Sequence, residues 1–214
     1  MPIAFNLKLS DDKVAATHLL KFYLDFLRIL NERGPVKATA QRNLPAKLVM
    51  ELFEQGYDYL HAPFPFRARS VRKEADAWFL SDLYDLGRVS GLIIKRKGRI
   101  GLTKKGQKAL TLSATENYFS LLRDYVFAFN MGYEEGWEPL PPFLIPYVID
   151  MLSEYGSKER AKERFDCAIF RTILEQFLAE FWLVEPRRVH IKGHRRDEQF
   201  VRTTKLFNEV FITW

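Results

Sequence analysis

The stretch Gly91–Leu110, GLIIKRKGRIGLTKKGQKAL, carries seven cationic side chains and no acidic one, and short apolar runs frame it at both ends. Two apolar segments separated by a basic turn that contains Gly98 predict a β-hairpin. Thr103, placed just before KKGQKAL, predicts the cap of a short helix. Upstream, EADAWFLSDLYDLGRVSG sets Trp78, Phe79, Leu83, Leu86 and Val89 at helical spacing, and Gly91 closes that helix.

Working outward, SDDKVAATHLLKFYLDFLRILNERG predicts one long buried helix. Its N-cap is Ser10, its apolar face runs from Val14 to Leu30, and Gly34 stops it. PVKATAQRNLPAKLVMELFEQG then predicts an extended piece, Asn43 as N-cap, Pro45 in the first turn and a helix ending at Gln55 before Gly56. YDYLHAPFPFRARSVRK, with two prolines and no helical period, predicts an aromatic loop. Helix, extended piece, helix, helix, hairpin is the order of a winged helix-turn-helix domain, whose turn projects as the wing.

A second round follows. ENYFSLLRDYVFAFN parallels HLLKFYLDFLRIL, and PPFLIPYVIDMLSEYG parallels NLPAKLVMELFEQG. RFDCAIFRTILEQFLAEFW then leads to a second strand, basic turn and strand, and Thr204 occupies the place of Thr103. The expected fold class is mainly α with short β-hairpins, built as tandem winged helix-turn-helix-like lobes over residues 1–113 and 114–214. A Pro/Gly-containing loop near 130–146 sits in the second lobe.

The 214 residues carry a net charge of +6, 47% hydrophobic and 28% charged side chains, values of an ordinary folded chain. The charge is unevenly spread: the first 113 residues hold 20 Lys and Arg against 11 Asp and Glu, the remainder 13 against 16. No apolar run approaches the roughly 20 residues of a membrane helix, and no signal-peptide pattern opens the chain, so a cytoplasmic location without membrane attachment is expected. The single cysteine, Cys167 in FDCAIF, reads as a small apolar filler.

VKATAQRNLPAKLVMELFEQ, followed by LYDLGRVSGLIIKRKGRIGLTKKGQKAL, resembles a bacterial segment of the plasmid pRiA4b ORF-3 and SEC-C-containing groups, as does the closing VRTTKLFNEVF. Arg42 stands where those groups are expected to have glycine. The resemblance implies a winged-helix-like architecture and brings no activity. The Cys-rich metal-binding tail of SEC-C proteins has no counterpart here, so no metal is carried over.

The candidate nucleic-acid contacts are Lys95, Arg96, Lys97, Arg99, Lys104 and Lys105 of the first hairpin and its exit. The loop residues Arg67, Arg69 and Arg72 join them, as do Arg187, Arg188, Lys192, Arg195 and Arg196 of the second hairpin, where Asp197 and Glu198 dilute the charge. Such cations can neutralise phosphates and release counterions. They can equally be a solvated turn whose alkyl stems cover the sheet edge. The helix before the hairpin carries Glu74, Asp76, Asp82 and Asp85 against Arg88, which disfavours base reading in a major groove. Tyr57, Tyr59, Phe64 and Phe66 interleave with loop arginines and could stack on unpaired bases, or simply plug the loop onto a core. The four histidines include only one close pair, His190 and His194 in HIKGH, without Cys or carboxylate partners for a metal. No catalytic motif is present. The expectation is a non-enzymatic, cofactor-free protein that binds nucleic acid, DNA rather than RNA, in a regulatory role, with a homodimer or protein partner open. The alternative is a protein–protein module that uses the lobes as scaffold.

Overall fold

A glycine in left-handed conformation and one buried threonine decide where the first two helices stop. The computed structural model describes residues 3–41, 43–59, 71, 73, 78–128, 149, 152, 184–189 and 198–213. In chain order the elements are β1 (Ile3–Phe5), α1 (Asp11–Ala15), α2 (His18–Arg33), β2 (Val36–Lys37), α3 (Ala46–Tyr59), α4 (Trp78–Val89), β3 (Ile93–Arg96), β4 (Arg99–Leu102), α5 (Lys104–Ala109), α6 (Ala114–Phe127), β5 (Val184–Val189), β6 (Glu198–Thr203), α7 (Lys205–Val210) and β7 (Phe211–Thr213). The fold is mainly helical with a small three-stranded antiparallel sheet. The chain divides into two units, His18–Phe129 and Met1–Thr17 with Asn130–Trp214.

In the unit His18–Phe129, α2 buries Leu19, Leu20, Phe22, Tyr23, Phe26, Leu27 and Leu30. The i, i+3, i+4 spacing of these residues gives one continuous apolar stripe. Leu48, Val49 and Leu52 of α3, Leu80, Leu83 and Leu86 of α4, Ile93 and Ile100 of the sheet, and Tyr118, Leu122 and Tyr125 of α6 complete this core. Truncating a fully enclosed side chain such as Leu27 to alanine should remove about 2–5 kcal/mol of stability. Gly34, at φ 64°, ends α2 and donates its amide to the Asn31 carbonyl at 3.3 Å. The sheet order is β2-β4-β3, all antiparallel, so β3 is an edge strand.

Three helix boundaries differ from the sequence expectation. The long first helix is broken into α1 and α2, because Thr17 is buried and both its amide and its hydroxyl bond the Val14 carbonyl, at 2.9 and 2.7 Å. α3 begins after Pro45, whose carbonyl accepts from Leu48 and Val49, while Asn43 closes the preceding turn through the Thr39 hydroxyl and backbone. α3 also continues through Gly56 to Tyr59, so the backbone of Tyr57 and Tyr59 is helical rather than loop.

At residue 113, where the lobe boundary was expected, the chain makes a hydrogen-bonded corner. Ser113 accepts from the Glu116 amide while the Glu116 carboxylate accepts from the Ser113 amide. The Asn117 side chain adds a bond to the Ala109 carbonyl at 2.9 Å. α6 therefore belongs to the same unit as α2–α5.

In the other unit, β1 pairs antiparallel with β7, Ile3 opposite Thr213 and Phe5 opposite Phe211. Asn6 clamps this pair by donating its amide to the Val210 carbonyl and its side chain to the Glu209 carbonyl, at 2.8 and 3.0 Å. Phe211 lies between Phe5 and Phe207, with ring centroids 5.8 and 4.9 Å away. β5 and β6 form a separate antiparallel pair, Val184 opposite Thr203 and Val189 opposite Glu198. Among the described residues no helix is long and apolar enough to cross a membrane.

Candidate nucleic-acid interface

The first hairpin turns in two residues, Lys97 and Gly98, both in left-handed conformation at φ 50° and 71°. That pair of signs is the turn that matches the twist of short antiparallel strands, and Gly98 takes its half without steric cost. Arg96 pairs with Arg99, Lys95 with Ile100, Ile94 with Gly101 and Ile93 with Leu102. On the other side of β4, Lys37 of β2 pairs with Arg99. Residues directly opposite share a face of the sheet, so Arg96, Arg99 and Lys37 form one row of three cations across all three strands. All three are exposed.

Ile100 is fully buried, and Lys95 lies opposite it, on the core side of the sheet. The register thus separates Lys95, half-buried, from Arg96 and Arg99, although the three are near neighbours in sequence. Arg99 donates Nε to the Pro35 carbonyl at 3.1 Å, which ties the guanidinium to the start of β2 while the residue stays exposed. Arg96, Lys97, Lys104 and Lys37 are exposed and have no intramolecular partner among the described residues.

The base of the hairpin is closed by two residues of the exit. Thr103 caps α5 by accepting from the Gly106 amide at 3.0 Å, and its hydroxyl donates to the Gly91 carbonyl at 2.8 Å. The Thr103 amide donates to the Leu92 carbonyl at 2.9 Å, and the Lys105 ammonium to the Ser90 carbonyl at 2.7 Å. Three consecutive carbonyls after α4 are thereby satisfied, and Lys105 sits where a cation favourably meets a helix C-terminus. Gly106 permits the approach, since a Cβ there would lie 2.3 Å from the Leu92 oxygen.

α4 buries Leu80, Leu83, Leu86 and Gly87 and turns Asp82, Asp85, Arg88 and Val89 outward to varying degree. Asp85 and Arg88 pair at 3.1 Å. The outward side of this helix is therefore carboxylate-bearing, and its arginine is already engaged.

Lys104 extends the cationic surface at the first turn of α5, whereas Lys105 is spent on the α4 terminus. Arg187 and Arg188 belong to the backbone of β5. Arg67, Arg69, Arg72, Lys192, Arg195 and Arg196 lie outside the described residues, as do Phe64, Phe66, His190, His194, Cys167 and the loop 130–146. Lys37 was not among the sequence candidates. A lone lysine in PVKATA carries no signal until the register of β2 against β4 is known. No family model matches the chain, and no curated protein or solved structure is significantly similar to it.

Proposed function

We propose that this is a non-enzymatic, cytoplasmic nucleic-acid-binding protein whose unit His18–Phe129 is a winged-helix domain that meets phosphates through its wing. The succession α2, β2, α3, α4, β3, β4 with sheet order β2-β4-β3 supports the winged-helix reading. The second hairpin supports tandem lobes: β5 and β6 lead into Thr204, which caps α7 by accepting from the Phe207 amide at 3.2 Å as Thr103 does from Gly106. The observation that carries the function is the cross-strand row Lys37–Arg99–Arg96. Like charges placed directly opposite one another weaken a sheet. A phosphate backbone laid along the row converts that repulsion into binding. The carboxylates of α4 assign it to packing rather than to base contact, so affinity should be salt-dependent and weakly sequence-selective.

Fluorescence anisotropy with a labelled DNA duplex across a salt series tests this. The variant Lys37→Ala/Arg96→Ala/Arg99→Ala should flatten the log K against log salt slope by up to about 0.9 for each duplex phosphate that is no longer neutralised. Lys95→Ala should change it far less. Equal effects of the two variants would remove the row as the contact surface, and no duplex binding by wild type at low salt would remove the function. A second reading is favoured by Val89 and Ile94, 50% and 45% exposed at the end of α4 and on the edge strand β3, which suit a protein partner. In that case Val89→Ser/Ile94→Ser would abolish partner capture and leave the salt slope untouched.

A further inference from the structure

Behind the hairpin, inside the unit His18–Phe129, lies a cavity of about 340 Å³ bounded by α2, the end of α4, α5 and α6. Its volume falls at the small end of the 300–1,000 Å³ typical of small-molecule sites. Tyr23 and Ser90 are among its lining residues, 2% and 6% exposed, and their hydroxyls, Tyr23 Oη and Ser90 Oγ, are buried and make no hydrogen bond. Buried polar groups are almost always paired, so each of these two hydroxyls would gain from a partner.

Asp124, whose side chain is 13% exposed, also lines the cavity and bonds Arg123 through Oδ1 alone, leaving Oδ2. Leu92, Ala109, Leu112 and Leu121 supply an apolar wall. Lys105 and Lys108 stand against Glu116 and Asp124 around the lining, two charges of each sign, so no net charge selects the occupant. Burial, and secondarily the Asp124 charge, push the Tyr23 phenol pKa upward, so the phenol stays protonated and can both donate and accept.

We propose that this cavity is a binding site for a compact neutral molecule with an apolar body and a hydroxyl head, the head meeting Tyr23, Ser90 and Asp124. None of Lys37, Arg96 and Arg99 lines it, so the site stands or falls separately from the phosphate row.

Titrating the methyl-labelled full chain with 2-phenylethanol tests the proposal. Saturable shifts at Leu92, Leu112 and Leu121 are expected, with toluene binding more weakly. Tyr23→Phe and Ser90→Ala should each weaken the alcohol by roughly 2- to 10-fold, the range of one hydrogen bond, without lowering the melting temperature, because each removes an unsatisfied group. Ala109→Leu should fill the space and abolish the shifts. Absence of saturable shifts in wild type would overturn the site. So would unchanged affinity in both hydroxyl variants, or a lowered melting temperature in both, which would mean that water already satisfies the hydroxyls.

Discussion

The two hairpin-to-helix passages, 93–109 and 184–210, follow one local plan and diverge in what surrounds it. Each is an antiparallel strand pair that runs into a threonine whose hydroxyl accepts from the amide three residues on, with nearly the same extended backbone, φ −81° and ψ 173° at Thr103, φ −84° and ψ 171° at Thr204. Three residues past the threonine the two part. Gly106 is required because the Leu92 carbonyl approaches the helix there, whereas Phe207 at the same position fills a ring cluster with Phe211. The passage ahead differs too: α5 leads through a capping box into α6, while α7 leads directly into β7 and its pairing with β1. Local chemistry dictates the repeated plan, and tertiary neighbours dictate the rest.

Exchanging the residues at that divergent position should give the largest effects. Phe207→Ala should lose about 3–5 kcal/mol, as aromatic truncations in filled sites do, read as loss of hydrogen-exchange protection in β1 and β7. Gly106→Ala should lose about 1–3 kcal/mol, because the added methyl meets backbone that must shift. If Gly106→Ala were neutral, the close approach of α5 to Leu92 would be wrong.

The features legible in the sequence are those that depend on neighbours along the chain. Gly91 and Gly98 marked a helix end and a turn, and both carry positive φ, at 69° and 71°. Thr103 marked a cap and makes it. What failed to show depends on partners far away. The break at Thr17 lies within VAATHLL, which contains neither Gly nor Pro, and no periodicity distinguishes the two helices it separates. β1 and β7 are three residues each, too short to show alternation, and they recognise one another across the whole length between them. The cation row of Lys37, Arg99 and Arg96 and the orphan hydroxyls of Tyr23 and Ser90 likewise exist only once separate segments are set side by side.

The caps sharpen the comparison at the next level. Thr204→Ala should lose about 1 kcal/mol, the ordinary value of an N-cap. Thr103→Ala should lose about 1–2 kcal/mol, because its hydroxyl caps α5 and also serves as the donor to the Gly91 carbonyl. Urea titrations of the two variants check both losses; an unchanged stability in Thr103→Ala would contradict its double role. The smallest effect belongs to the turn itself. Lys97→Asn should stabilise by a few tenths of a kcal/mol, because Asn-Gly is the favoured pair for a two-residue turn with both φ positive. A loss of stability in the same titration would contradict the turn geometry.

The three bonds from Thr103 and Lys105 to the carbonyls of Ser90, Gly91 and Leu92 have a mechanical meaning. They fasten both legs of the hairpin to the end of α4, so the tip cannot swing without breaking a tie at its root. In the proposed contact, a prong held this way would meet a partner already shaped. Side chains such as Arg96, Lys97 and Lys37 would surrender freedom, whereas the backbone entropy that a loose loop would lose was spent when the chain folded.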